Sequence, residues 1–277
     1  MAPNFFACFR RGGVGGAKES SANGGRVHTA GGGGGAEEQG KGGAVLVEFF
    51  TAQGCATSPE AELFLSRLGS EEDRPAEGPP VIVLAYHVEY WDHLGWKDVL
   101  ASSLWSARQK ALVEALGEDS IYTPQSVVQG RSQCLATGEA AVLAEIGKAT
   151  TFPGPTMQAT FQRRTPDTLE VSLRGALRTK VDEKGVDVMV ALHESGLVTE
   201  ISRGDNKGRI VKNDFVVRKL EKLCSVRDVS AKKTISGTVN FTLWEGFNSG
   251  KCGIVVFIQN SSLQIFGCQQ FHLPLNL

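Results

Sequence analysis

The sequence predicts two domains of different class, an α/β domain followed by an all-β sandwich-like domain, behind a disordered glycine-rich tail. Between residues 44 and 150, continuously apolar runs alternate with amphipathic helical segments, a pattern typical of strands that are covered on both faces. From residue 151 onward, short segments alternate apolar and polar residues with turn signals between them, as in antiparallel sheets. We therefore place the segments at 1–43, 44–150 and 151–277.

Composition narrows the classes of function. The chain has 277 residues, 41% of them hydrophobic, and a net charge of −1, so its bulk charge gives no support for a nucleic-acid partner. No apolar stretch approaches the roughly 18 to 20 residues that span a bilayer, so we expect no membrane span. The six cysteines are scattered without tight spacing, unlike a small secreted disulfide scaffold, and this favours a reducing compartment.

Residues 1–43 hold 14 of the 33 glycines and almost nothing that could bury a core, which predicts a disordered tail. The start of this tail, MAPNFFACFRRGGVGGAK, is basic and lacks acidic residues, and so faintly resembles an organelle transit peptide. We expect a cytoplasmic protein with a flexible extension, and organelle targeting is the alternative.

The first predicted elements bring a cysteine to the start of a helix. Val45 to Phe50 is nearly continuously apolar and predicts a buried strand. A short loop with Cys55 follows, and then a helix with Pro59 at its first position and Gly69 at its end. Unpaired backbone N–H groups and the helix dipole favour a thiolate at such a junction. Cys55 is therefore the first candidate for a catalytic residue.

A second apolar run, Val81 to Tyr86, predicts a strand parallel to the first, because a helix connects the two. The loop from His87 to Asp98 follows its carboxyl end, where open α/β sheets place ligand crevices. We take Asp98 as the N-cap of the next helix, Val99 to Leu116. The candidate site residues in this loop are His87, Tyr90, Trp91, Asp92 and Trp96.

The same loop could supply borderline metal ligands from His87, His93 and its carboxylates. Their spacing matches no known metal motif, so we predict no metal site. A structural role, with Trp91 and Trp96 packing over the cysteine, is the favoured interpretation. A nearby histidine could also tune the pKa of Cys55.

The α/β segment closes with the pair Thr123-Pro124, two short strands that turn at Gly130, and a helix from about Gly138 to Lys148. Pro124 can open a strand, where its missing N–H is tolerated. The predicted order from residue 44 is β-α-β-α-β-β-α, which is that of a minimal thioredoxin fold.

Three blocks of the chain, VEFFTAQGC, AYHVEYWDHLGWKD and IYTPQSVVQGR, resemble the thioredoxin-like family described as domain of unknown function 1223. The segment GLVTEISRGDNKGRIVKNDFVVRKL resembles its C-terminal part. The family motif Gly-Cys-x-x-Cys-Pro reads Gly-Cys-Ala-Thr-Ser-Pro here, so Ser58 replaces the second thiol. The resemblance implies that Pro124 is cis and faces Cys55, with the Thr123 backbone placed to pair with a bound peptide or thiol.

A single thiol held at a helix start predicts a monothiol protein that exchanges thiols and disulfides on proteins or small molecules, with Cys55, Ser58, Thr123 and Pro124 at its site. No cofactor is expected, and glutathione is the candidate co-substrate. A site without its second cysteine cannot resolve its own mixed disulfide, so an outside thiol is needed. The alternative is a non-catalytic binding or scaffold protein, and whether the chain is an enzyme stays open between the two.

The second half reads as successive strands, interrupted by one helical or irregular segment from Phe215 to Cys224. Gly204 to Gly208 lacks the following helix and the Lys-Ser/Thr pair that a phosphate loop needs. Cys252 and Cys268 flank a predicted hairpin and could come within bridging distance. In a reducing compartment, two buried thiols are the favoured interpretation.

Overall fold

The computed structural model of the chain describes residues 27–31, 42–70, 78–179, 185–227 and 234–277, which form fourteen strands and three α-helices. The helices are α1 (Ser58–Gly69), α2 (Ser103–Ala115) and α3 (Glu139–Lys148). The strands of the first half are β1 (Val27–Gly31), β2 (Val45–Thr51), β3 (Val81–His87), β4 (Gln125–Val128) and β5 (Ser132–Leu135). Those of the second half are β6 (Thr156–Thr165), β7 (Thr168–Ala176), β8 (Val186–Glu194), β9 (Leu197–Glu200), β10 (Ile210–Asn213), β11 (Val216–Val226), β12 (Thr234–Thr242), β13 (Cys252–Gln259) and β14 (Ile265–His272).

One mixed sheet of eight strands runs through both halves of the chain, in the order β14-β13-β8-β11-β3-β2-β4-β5. β2 and β3 are parallel, as their helical connection predicts. β11 lies against the other edge of β3, also parallel, with Val216 opposite Ala85. The Ala85 N–H donates to the Phe215 carbonyl at 2.9 Å. β11 therefore joins the N-terminal strands to the C-terminal ones.

This sheet shows that the predicted fold class, an α/β thioredoxin-like domain followed by an all-β sandwich-like domain, is wrong. Strands from before and after residue 150 are hydrogen-bonded neighbours, and three helices accompany fourteen strands in the described ranges. The apolar run of β3 indicates that the strand is buried, but not which strand covers its edge. The segment from Phe215 to Cys224, predicted to be helical or irregular, supplies that strand. The division at residue 150 stays a prediction.

Three apolar clusters fill the space around the large sheet. On one face, α1 covers β2 and β3 and α3 covers β4 and β5, while the sheet β1-β6-β7-β12 packs against β8, β13 and β14. On the opposite face, α2 packs against β2 and β3 through Trp105 and Leu112. Alternate residues of β2 and β13 point to opposite clusters, as the period of a strand requires.

Two segments differ from their predicted form. β1 lies inside the predicted tail and pairs with β6, from Val27 opposite Gln162 to Gly31 opposite Gln158; residues 1–26 and 32–41 lie outside the described residues. α2 begins at Ser103 rather than Val99, because Ser102 caps it by accepting from the Leu104 N–H. None of the helices in the described ranges is long and apolar enough to cross a membrane.

Candidate functional site

Cys55 lies in the turn between the end of β2 and the start of α1. The turn is closed by backbone hydrogen bonds: the Cys55 N–H donates to the Ala52 carbonyl at 3.0 Å, and the Ser58 N–H donates to the Cys55 carbonyl at 3.3 Å. Pro59 occupies the first turn of α1, where its missing N–H leaves no donor unpaired. The thiol is thereby fixed at the N-terminal end of a helix, although it is only 3% exposed.

Three hydroxyl groups surround the Cys55 thiol. Its sulfur lies 3.5 Å from Thr57 Oγ1 and 3.5 Å from the Thr123 carbonyl oxygen. The Ser58 hydroxyl is fully buried and has no hydrogen-bond partner, so it is free to donate to a thiolate. Burial raises the pKa of Cys55, but donation from Ser58, Thr123 and Thr57 outweighs burial and holds that pKa below its ordinary value.

The Thr123-Pro124 peptide bond is cis, and it faces Cys55 as the family resemblance implies. Trp91 holds this segment in place, because its indole N–H donates to Thr123 Oγ1 at 2.7 Å. The same tryptophan lies against the cysteine turn: a Cβ added to Gly54 would meet Trp91 Cβ at 3.3 Å. The loop after β3 therefore packs directly on the thiol site, as predicted for Trp91.

Tyr90 lies beside the site and is tied to the interior by a glutamine. Its hydroxyl donates to Gln109 Oε1 at 3.2 Å, and burial raises the pKa of Tyr90 to about 12. Gln109 is itself fully buried and donates to the Tyr122 carbonyl and to Gln125 Oε1, both at 2.8 Å. Sequence reasoning missed Gln109, although a polar residue four positions after Trp105 on the buried face of α2 was an available signal.

His87 and Asp98 form a buried ion pair beneath the cysteine turn. His87 Nδ1 lies 2.8 Å from Asp98 Oδ2, which also accepts from the Gln53 N–H at 2.9 Å. Burial lowers the pKa of His87, but the Asp98 carboxylate outweighs burial and raises it. Burial likewise raises the pKa of Asp98, and His87 with the backbone donors outweighs that and lowers it. The predicted role of Asp98 as the N-cap of α2 is wrong, since it holds the cysteine turn instead.

Glu62 is a buried carboxylate on the face of α1 that meets the same turn. It accepts from Thr51 Oγ1 at 2.6 Å and from the side-chain amide of Asn213. Burial raises the pKa of Glu62 to about 7, against a partial lowering by His87. Glu62 can therefore carry or release a proton near neutral pH.

A hairpin from the second half of the chain, β9 and β10, clamps the cysteine turn. The Asn206 side-chain amide donates to the carbonyls of Gln53 and Cys55, both at 2.8 Å. The Gln53 side chain donates to Asn213 Oδ1 at 2.9 Å and accepts from the Trp96 indole at 3.1 Å. Gln53, Asn206 and Asn213 were missed from the sequence, although the family resemblance extended over the hairpin.

The remaining loop residues do not converge on one point. Asp92 accepts from the Asp98 N–H at 3.1 Å, while His93 is exposed and bonds the Tyr90 carbonyl at 2.8 Å. His87 is fully buried and faces Asp98, so the two histidines do not share a site. Across the parts of the chain that the structure describes, no group of three or more His, Cys, Asp or Glu side chains is placed to hold a metal ion.

Cys252 and Cys268 are separate buried thiols. Cys268 is opposite Phe257 in the β13–β14 ladder, so Cys252 lies five residues away along the strand, about 17 Å. The two side chains also belong to clusters on opposite faces of the sheet. Burial raises the pKa of each thiol to about 12. They are therefore unbridged and inert compared with Cys55.

Comparison with known proteins extends these observations. The sequence profile of the family described as "Protein of unknown function (DUF1223)" matches residues 46–259. A crystal structure of a protein from Agrobacterium tumefaciens is 24% identical, with a TM-score of 0.56 over 83% of this chain and 95% of that one. HBP35 of Porphyromonas gingivalis is 14% identical, with a TM-score of 0.59 over 84% and 76%. These two likenesses concern the fold alone, and no curated protein is detectably similar to the chain.

Proposed function

The chain belongs to the DUF1223 family of proteins of unknown function, and on that premise we propose that it is a monothiol protein in which Cys55 exchanges with disulfides. One observation carries the proposal: a thiol that is 3% exposed has a pKa below its ordinary value, because three hydroxyl groups can donate to its thiolate. Thiolates are the nucleophiles of thiol–disulfide exchange. The substrates are mixed disulfides of proteins or of glutathione.

The reaction needs two exchanges. In the first, the Cys55 thiolate attacks one sulfur of a disulfide, so that a Cys55–substrate disulfide forms, the substrate's S–S bond breaks, and the other sulfur leaves as a thiolate. In the second, an outside thiolate such as glutathione attacks the new disulfide and releases Cys55. No net oxidant or reductant is required beyond the thiol and disulfide supplied.

Each neighbour of the thiol has a role in this proposal. Ser58 donates to the Cys55 thiolate before attack and again when Cys55 leaves, which lowers the free energy of both charged states. The Thr123 carbonyl accepts from the neutral thiol at 3.5 Å and keeps it pointed toward the cis peptide bond. With serine at position 58, the first exchange ends in a persistent mixed disulfide until an outside thiol arrives.

A second candidate function, a non-catalytic binding or scaffold protein, is favoured by one observation. The cysteine turn is clamped by Asn206 and covered by Trp91, so a substrate disulfide must displace part of this cover to reach the sulfur. If that cover does not open, the site holds its shape for recognition rather than for exchange.

The two candidates separate in one experiment on the full chain. Incubation with glutathione disulfide at pH 7.5, followed by intact-mass measurement, should yield one glutathione adduct that disappears in Cys55→Ser. Cys134→Ser is the matched control: Cys134 is more exposed than Cys55, but burial and Glu145 raise its pKa, so this variant should retain the adduct. An adduct on Cys134 and none on Cys55 would favour the binding protein.

Restoring a second thiol tests the role of position 58. Ser58→Cys should release bound glutathione without any outside thiol and leave an internal disulfide between Cys55 and the introduced thiol. Persistence of the adduct in this variant would contradict the proposed exchange geometry, because the two positions are only three residues apart at the start of α1.

A further inference from the structure

A pocket of about 170 Å³ lies at the other end of β2 from Cys55, between the β4–β5 turn and the end of α3. Its polar lining includes two cations, Arg131 and Lys148, with Ser132 and Glu145. The pocket is smaller than the roughly 300 to 1,000 Å³ of sites for drug-sized ligands, so only a small ligand would fit.

The turn that presents Arg131 is rigid. Gln129 and Gly130 both have positive φ, 54° and 61°, and a Cβ on Gly130 would lie 2.1 Å from the Leu263 carbonyl oxygen, so only glycine fits. Gln129 is fully buried; its side chain accepts from the Leu46 N–H and donates to the Thr150 carbonyl. The backbone that precedes Arg131 is therefore held by contacts with Leu46, Thr150 and Leu263.

The Arg131 guanidinium is held but not neutralised. Its central carbon lies 5.3 Å from the Phe152 ring centre and 4.9 Å from the Phe266 ring centre, and the two rings contact each other at 5.1 Å. Among the described residues it has no carboxylate or hydrogen-bond partner, and its Nε is buried without one. Because Arg131 lines the pocket, the terminal amino groups of this guanidinium, which no acceptor in the described residues binds, can donate to a ligand there.

The charges of the pocket select the ligand's charge. Lys148 Nζ lies 2.9 Å from Glu145 Oε1, so these two largely neutralise each other. With Arg131, the lining carries a net charge of +1. A singly charged anion neutralises this lining, whereas a doubly charged anion would leave an excess of negative charge beside Glu145.

We propose that this pocket binds a small monovalent carboxylate, held through the fork formed by the two terminal amino groups of Arg131, because its Nε is enclosed by protein. A carboxylate matches that fork with two parallel hydrogen bonds, which is the strongest geometry available to a guanidinium. The carboxylate could belong to a free small molecule or to the end of a peptide chain. The site is separate from Cys55 and does not depend on thiol chemistry.

Titration of the full chain with acetate and with sulfate at constant ionic strength tests the proposal, with the backbone amide signals of Arg131 and Ser132 followed by NMR. We expect saturable shifts with acetate in the millimolar range and weaker binding of sulfate. Arg131→Gln should weaken acetate binding at least about tenfold, the effect of losing a charge-assisted hydrogen bond. Arg178→Gln is the matched control, since Arg178 is exposed and is not among the residues that line the pocket.

Two outcomes would overturn the proposal: acetate gives no saturable shift, or Arg131→Gln binds acetate as tightly as the unmodified chain. Acetylated triglycine distinguishes the two sources of the carboxylate, because a peptide terminus should bind more tightly than acetate, whereas a site for a free small molecule should not favour it.

Neutralising Glu145 tests whether the charge of the lining selects the ligand. Glu145→Gln changes the net charge of the lining from +1 to +2, so sulfate should gain at least about tenfold over acetate. Glu145 lies at the surface of α3 and contacts Lys148 at the next turn, so the variant should fold normally. An unchanged ratio of sulfate to acetate affinity would show that charge does not select the ligand, and would refute the monovalent assignment.

Discussion

Cys55 and Cys268 are equally hidden from solvent, at 3% and 4% exposure, yet the pKa values of their thiols are shifted in opposite directions. Both thiols donate to a backbone carbonyl at 3.5 Å, from Thr123 and Ala44 respectively. The difference is the presence of hydroxyl donors around Cys55, while burial dominates at Cys268. Hydroxyl donors therefore outweigh burial at Cys55, whereas no donor offsets the deeper burial of Cys268.

The two thiols also differ in the ionisable groups around them. Beneath Cys55 lie three buried ionisable groups, Glu62, His87 and Asp98, linked by hydrogen bonds to the cysteine turn. Cys268 belongs to the same apolar cluster as Cys55, but burial is the one influence on its pKa. Buried charges need partners, and the partners around Cys55 come from both halves of the chain.

The largest expected difference is in alkylation rate. In two variants that each keep a single cysteine, Cys55 or Cys268, iodoacetamide at pH 7 should modify Cys55 at least about a thousandfold faster. A pKa of about 12 leaves only about 10⁻⁵ of Cys268 as thiolate. Mass spectrometry over time gives both rates. Because the two thiols are about equally exposed to solvent, rates within tenfold of each other would contradict the opposite shifts of their pKa values.

The buried carboxylate of Glu62, near Cys55, should make the free energy of unfolding depend on pH. Its folded-state pKa of about 7 lies above its ordinary value of 4.5, so the stability it contributes is present below pH 4.5 and is lost as the pH rises through 7. Glu62→Gln removes this titration and should stabilise the chain at pH 8 by about 3 kcal/mol. Urea unfolding at pH 5, 6.5 and 8 measures the difference.

Glu60→Gln is the control for that variant, because Glu60 is exposed on the same turn of α1 and should leave the pH dependence unchanged. Equal pH dependence in the unmodified chain and in Glu62→Gln would contradict the assignment of the buried proton to Glu62.

Removing one hydroxyl donor should make the pKa of the Cys55 thiol more like that of the Cys268 thiol. Ser58→Ala should raise the pKa of Cys55 and slow its alkylation at pH 7 by about tenfold, since a hydrogen bond to a charged group contributes about 1.5–3 kcal/mol. The pH dependence of the alkylation rate gives the change directly. Ser66→Ala, on the same helix but bonded to Asp214, should leave the rate unaltered; a loss as large there would point to a general effect on α1.

Removing the Asn206 clamp should destabilise the cysteine turn and increase the difference in alkylation rate between Cys55 and Cys268. Asn206→Ala deletes two donors, to the carbonyls of Gln53 and Cys55, so we expect a loss of about 1–2 kcal/mol in unfolding free energy. Alkylation of Cys55 should become a few times faster because the turn opens more often. Lys207→Ala, exposed and adjacent, is the control. Slower alkylation in Asn206→Ala would show that the clamp aids ionisation rather than restricting access.

The sequence could predict the surroundings of Cys55 only where they are local or carried by the family resemblance. Apolar runs and a proline mark β2 and α1, and the family motifs point to Ser58, Thr123 and Pro124. Gln53, Asn206 and Asn213 have no periodic signal, because a single polar residue in a loop gives no indication of its partner about 150 positions away.

The fold as a whole was less predictable for a related reason. β11 contains two irregular positions, after Val217 and after Lys222, that break the alternation by which a strand is identified. The charged segment therefore resembles a helix or a loop. Hydrophobic periodicity indicates which segments are strands, but which edges pair is decided by contacts across the whole chain.

The pairing of β11 with β3 also limits the order in which the large sheet can form during synthesis. Ala85 and Val216 are 131 positions apart, so one edge of β3 has no neighbour until most of the chain has left the ribosome. Contacts of such long sequence separation form slowly, and an open apolar edge can pair with other nascent chains in the meantime. Production of this protein should therefore respond strongly to chaperones and to slow growth, more than its final stability would suggest.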